Sequence, residues 1–116
     1  MSDSETAAPA AEWLTLPELV EILGESLGRV RRLFDEQYLI GSRRNGALAV
    51  PAVFLKDDQP LGSLRGTIIV LKDAGFSDDE AIDWLLAEEE SMGRAPIAAL
   101  REGHKSEVRR VARALA

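Results

Sequence analysis

Residues 15–55 read TLPELVEILGESLGRVRRLFDEQYLIGSRRNGALAVPAVFL, and this stretch dictates most of what the chain can become. Thr15 suits a helix N-cap. Glu18 stands three residues on as a capping-box partner, and Leu14 and Leu19 can staple across the start. Pro17 lies in the first turn, where it sacrifices no intrahelical hydrogen bond. Leu16, Leu19, Val20 and Leu23 follow the i, i+3, i+4, i+7 rhythm of a helix with one buried face. Gly24 stops that helix in the manner of a left-handed C-terminal glycine. A second helix then begins with Ser26 as N-cap and runs to about Glu36. Leu27, Val30, Leu33 and Phe34 cluster on one side of it. At ~100° per residue, Gly28, Arg29 and Arg32 point the opposite way and Arg31 lies on the flank.

The extended runs Tyr38–Arg44 and Ala47–Pro51 follow, separated by Asn45-Gly46. Asn-Gly between two such runs is a strong hairpin signal, because a type I′ turn needs positive φ at both central positions. Arg43 and Arg44 sit at the hairpin tip, and Pro51 is expected to end the pairing. Two helices, a tight turn and an arginine-tipped hairpin form the order of a winged helix-turn-helix with a two-stranded wing. Such a unit offers DNA one helix for the major groove and one loop for the backbone or minor groove.

Outside this stretch the chain divides naturally. Residues 1–12 are rich in Ala, Pro, Ser and acids and have no periodicity, so they read as a disordered acidic tail. Ser2, Ser4 and Thr6 would be accessible to a kinase there, and an inert solubilising tail explains the same composition. Lys56-Asp57-Asp58-Gln59-Pro60 reads as a loop and an internal boundary. The expected organisation is thus a tail at 1–12, a winged helix-turn-helix at 13–58 and a helical C-terminal extension at 59–116. Within the extension, helices are expected near 63–74, 78–90, 95–102 and 106–115, the second opened by a Ser77/Glu80 capping box. Val108, Val111, Ala112 and Leu115 line one face of the last helix, with Arg109, Arg110 and Arg113 along an exposed edge. The fold class is mainly α.

Composition narrows the chemistry. The chain contains no Cys, which excludes disulfides, thiol nucleophiles and thiolate zinc sites. His104, the one histidine, lies in a Gly-His-Lys turn without a second His or a Ser-bearing elbow. Asp78/Asp79 and Glu88-Glu89-Glu90 lie at or near helix ends, where acids compensate the dipole or form solvated faces. No glycine pattern matches a phosphate or dinucleotide loop. No catalytic residue, metal or cofactor is therefore expected, and the chain reads as a non-enzyme. No apolar run approaches the ~20 residues of a membrane helix and no secretory leader is evident, so a cytoplasmic, nucleoid-associated protein is expected.

Taken whole, the net charge of −6 disfavours nucleic acid, but it is unevenly spread. Residues 1–28 hold six acids and no base, whereas residues 29–66 hold seven bases and four acids. The positive segment coincides with the second helix and the wing, and DNA responds first to the local patch. Ser26, Gly28, Arg29, Arg31, Arg32, Arg43, Arg44 and Asn45 are the candidate DNA-contacting residues. The five arginines are expected on one exposed side.

Leu23-Gly24-Glu25-Ser26, Val30-Arg31-Arg32-Leu33, Tyr38-Leu39 and Arg43-Arg44-Asn45-Gly46 resemble the MerR/excisionase type of winged helix-turn-helix. Phe34-Asp35-Glu36-Gln37 departs from it, since members often carry further bases and a glycine there. Over residues 13–116 the chain is similar to a narrower group of small actinobacterial winged-helix DNA-binding proteins with a helical extension. The likeness is carried by Val50-Pro51-Ala52-Val53-Phe54, Asp73-Ala74-Gly75-Phe76, Ile82-Asp83-Trp84-Leu85 and Glu107-Val108-Arg109-Arg110. That group includes a mycobacterial Ser/Thr-kinase substrate. The resemblance implies a double-stranded DNA partner, a transcriptional role, and a kinase acting on the tail, with Thr6 the natural phosphorylation candidate. Trp84-Leu85 and Gly93-Arg94-Ala95-Pro96-Ile97 with Leu100 also resemble the toxin-binding region of Xre/ParS-type antitoxins. That likeness implies the alternative of an adaptor whose C-terminal helices hold a protein partner.

Overall fold

A computed structural model describes residues 12–115. Thr15 does two jobs at the entrance. It closes a short strand, β1 (Trp13–Thr15), and caps α1 (Leu16–Leu23), its hydroxyl and backbone exchanging hydrogen bonds with Glu18 in a full capping box. Gly24 adopts φ 67° and ends α1. Ser26 Oγ accepts from the Arg29 backbone N–H at 3.2 Å and opens α2 (Leu27–Asp35). Val30 is fully buried, with Leu33 and Phe34 half-buried beside it. Leu27 departs from expectation. It is exposed, because the first turn of α2 projects beyond the edge of the core.

α2 ends in a left-handed residue that is not glycine. Gln37 has φ 65°, and the Tyr38 N–H reaches back to the Leu33 carbonyl at 2.8 Å. The chain then enters the wing hairpin, β2 (Ser42–Arg44) and β3 (Ala47–Pro51), around Asn45 and Gly46 at φ 52° and 80°. The hairpin is two-stranded as expected, and β1 joins it to make an antiparallel sheet of order β1-β3-β2. The pairing ends at Pro51 as expected, with Trp13 as its register partner.

A 3-10 turn (Ala52–Phe54) leads into a second, smaller hairpin, β4 (Leu55–Lys56) and β5 (Gln59–Pro60). The segment expected as a loop is this hairpin. Asp57 and Asp58 take φ 55° and 60° at its turn, doing without glycine what Asn-Gly does in the wing. Four helices follow: α3 (Leu64–Asp73), α4 (Asp78–Leu86), α5 (Pro96–Arg101) and α6 (Lys105–Arg113). The Ser77/Glu80 capping box forms as the spacing predicts. α4 ends earlier than its apolar pattern suggests. Ala87 turns extended, and Glu89 pairs backbone to backbone with Arg94.

The molecule is mainly helical with a small antiparallel sheet, and its apolar core is continuous. Leu19, Val30, Leu39, Val50 and Phe54 of the winged unit pack in the same buried cluster as Leu64, Ile68, Leu71, Leu85 and Val108 of the extension. Polar ties reinforce the seam. The Lys56 ammonium donates to the Arg101 carbonyl at 3.0 Å, and the Arg101 guanidinium donates to the carbonyls of Val53 and Leu55.

Arg109 corrects an expectation. It does not lie on an exposed edge but is half-buried across the first turn of α3, where its Nη2 donates to the Ser63 carbonyl at 3.1 Å. The space it fills exists because residue 66 is glycine. A Cβ there would fall 3.0 Å from Arg109 Nε and closer still to the guanidinium carbon. Arg110 and Arg113 remain exposed.

Candidate nucleic-acid interface

α2 is held by its apolar side, so its remaining surface faces outward. Ser26, Gly28, Arg29, Arg31 and Arg32 are all exposed. Gly28 has neither positive φ nor a close neighbour. An added Cβ would meet only Ser26 Oγ, at 4.0 Å. Nothing among the described residues accounts for glycine here, in contrast to Gly66.

The arginines fan out rather than sharing one face. Arg31, from the flank of α2, and Arg43, from the wing, line one groove of about 520 Å³, with Leu16, Phe34 and Leu48 as apolar lining and Asp35 as a carboxylate. Arg32 lies on the outer face of the helix. Arg29 turns the other way, toward a smaller groove lined by Leu23, Glu25, Leu33, Gln59 and Pro60, and pairs with Glu25 at 3.5 Å. Both partners are exposed, so this pair contributes little to stability and is readily exchanged for another anion.

Strand alternation sends Arg43 and Arg44 to opposite faces of the sheet. Arg44 stacks over the Trp13 ring, 3.9 Å from its centroid. Asn45 is exposed at the turn between β2 and β3. Sequence reasoning missed Trp13, because the partner that gives it a role arrives only with the pairing of β1 to the wing. It also missed Asp35, which falls on the outward side of α2 and makes no ion pair among the described residues. Thr6 lies outside the described residues.

A glycine-ended helix, a capped second helix exposed along its cationic side, and an adjoining arginine-bearing hairpin define a winged helix-turn-helix protein. Comparison with known proteins supplies the particular group. Residues 3–55 match the family described as "DNA-binding protein Rv2175c, wHTH domain", and residues 61–116 match "Rv2175c C-terminal domain of unknown function". With both halves matched in order, the chain belongs to the Rv2175c family. It is 33% identical over 78 residues to the DNA-binding protein Rv2175c of Mycobacterium tuberculosis, a match covering 66% of this chain and 53% of that relative. The matched segment thus spans about half the relative's length. The fold is similar to the NMR structure of Rv2175c, with a TM-score of 0.85 and 28% identity over 97% of this chain and 86% of that one. Among the described residues, no helix is long and apolar enough to cross a membrane.

Proposed function

We propose that this chain binds double-stranded DNA through α2 and the wing and acts as a transcriptional regulator. The observation that carries the reading is the groove between them, where Arg31 and Arg43 come from separate elements to line one cleft. A duplex engaged by a recognition helix on one side and a wing on the other must pass a sugar-phosphate strand between the two. Two guanidiniums in that cleft match the charge and fork geometry of a phosphate.

Ser26, Gly28, Arg29 and Arg32 then face the major groove, where arginine is suited to the O6/N7 edge of guanine. Gly28 lets the backbone of α2 approach the groove wall. Arg44 and Asn45 sit where the wing meets the adjacent backbone or minor groove. The division into a winged unit at 13–58 and an extension at 59–116 belongs to this reading, as do the MerR-like docking mode and nucleoid association. A Ser/Thr kinase acting on Thr6 would add about −1.5 to −2 charges and weaken phosphate contacts by repulsion.

The test is a fluorescence-anisotropy titration of labelled duplex between 50 and 200 mM salt. Wild type should lose affinity steeply as salt rises, and the Arg31→Ala/Arg43→Ala variant should bind more weakly with a shallower dependence. Wild type showing no salt-dependent binding would reject the DNA reading. Recovery instead of a stable heteromeric complex on pull-down would favour the adaptor alternative.

A further inference from the structure

The carboxyl end of α2 is held by a residue from the other half of the chain. Arg65, the second residue of α3, donates from Nε to the Glu36 carbonyl at 2.7 Å. Its guanidinium carbon lies 5.0 Å from the centroid of the Tyr38 ring. Both side chains are exposed, Tyr38 at 41%. One of the five guanidinium N–H groups is thus used, and among the described residues neither terminal nitrogen has a hydrogen-bond partner. The next residue, Gly66, lies under the Arg109 guanidinium, so the backbone that carries Arg65 is fixed by the packing of α6 on α3.

We propose that Arg65 is a phosphate-binding residue of the DNA interface, supplied by the C-terminal extension and pre-organised on the end of α2. The inference rests on the DNA reading above and extends the contact surface beyond the winged unit. The nine-residue helix α2 is roughly 14 Å long at 1.5 Å per residue, close to the ~12 Å width of the major groove. A group fixed at the carboxyl end of a helix whose first turn enters the groove stands near the opposite rim, where phosphates run. With Nε engaged on an exposed side chain, the two terminal nitrogens have no partner among the described residues and can fork a phosphate. Because the hydrogen bond and the Tyr38 contact already hold the side chain, less rotamer freedom is lost on binding. Arg29, by contrast, must first leave Glu25.

A rival account makes Arg65 a helix C-cap and nothing more, favourable to the negative end of the helix dipole. Salt dependence separates the two, because a cap releases no counterions when DNA binds. The decisive variant is Arg65→Gln, whose amide can still donate to the Glu36 carbonyl while the charge is gone. Its titration is run beside wild type on the full chain, with thermal unfolding as a check on the fold. A lost phosphate contact should lower the slope of log K against log salt by about 0.9 and weaken binding roughly eight-fold at 0.1 M salt. Arg65→Lys should retain the wild-type slope while losing affinity, since it keeps the charge but not the fork or the stack. An Arg65→Gln slope equal to wild type would overturn the proposal, whatever its affinity. If wild type itself binds no DNA, the parent reading falls as well, and the control curve distinguishes that failure from the first.

Discussion

Gly66 and Arg109 form a pair whose energetics can be worked from the structure. Replacing Gly66 with alanine has two opposed effects. In the first turn of α3, alanine recovers backbone entropy worth about 0.5 kcal/mol, the low end of the range for a helix interior. Its methyl group also occupies the space of the Arg109 guanidinium and drives that side chain away from the Ser63 carbonyl. A hydrogen bond from a charged donor contributes about 1.5–3 kcal/mol. The expected net loss for Gly66→Ala is therefore ~1–2.5 kcal/mol, or roughly 4–10 °C in Tm for a domain of this size. With Arg109 already replaced by alanine the obstruction is gone, and the same substitution should stabilise by ~0.5 kcal/mol. The sign thus reverses between backgrounds, and the coupling energy is about 1.5–3 kcal/mol. Urea unfolding of wild type, both single variants and the double variant, followed by circular dichroism, measures all four corners. Equal costs of Gly66→Ala in the two backgrounds would refute the reasoning, because the helix would then be sensing the methyl group and not the arginine.

Four further outcomes are expected. Gln37→Gly should raise the urea midpoint by the equivalent of ~0.5–1 kcal/mol, since it relieves a left-handed non-glycine residue, and a lower midpoint would contradict this. Gly28→Ala should leave stability unchanged or improved by up to ~0.5 kcal/mol while weakening DNA binding several-fold, and unchanged binding would remove the close approach at that point. Asp35→Asn should tighten binding to random duplex by removing a carboxylate from the cleft shared by Arg31 and Arg43, whereas weaker binding would show that the carboxylate accepts a hydrogen bond from a base. The Glu89 carboxyl is held below its ordinary value of 4.5 by hydrogen bonds from the Ser91 hydroxyl and then the Ser91 backbone N–H, which outweigh a smaller opposing desolvation. A depressed carboxyl stabilises the fold above its unfolded value and loses that contribution as pH falls. The stability gap between wild type and Glu89→Gln should accordingly be full at pH 7 and shrink below pH 4.5, and a gap independent of pH would count against it.

Local chemistry made the winged unit and the start of α4 legible. Thr15 with Glu18, Ser26, Ser77 with Glu80, and Asn45-Gly46 are short-range signals, in which the residues that speak to one another lie within four positions. Each formed where the spacing put it. What escaped depends on distant partners. The strand Trp13–Thr15 is only three residues long and merges into a helix cap, so it has no alternation of its own to read. Asp57-Asp58 makes a tight turn without the glycine that would have announced it. Arg109 sits at a helix position that periodicity places on the flank, and its burial is decided by a hole at Gly66, forty-three residues away. At the candidate interface the arginines could be named from the sequence, but not the fan of directions that separates Arg29 from Arg31 and Arg43 from Arg44.

The shared core has a consequence for how such a protein can be dismantled. Phe54 and Leu64 pack in the same buried cluster though they belong to different halves. A cut after the small hairpin would leave an oily wall open to water on each fragment and strip the end of α2 of the guanidinium that holds it. The winged unit is therefore no cassette to be lifted out and grafted elsewhere. The wing and its helices travel with their chassis.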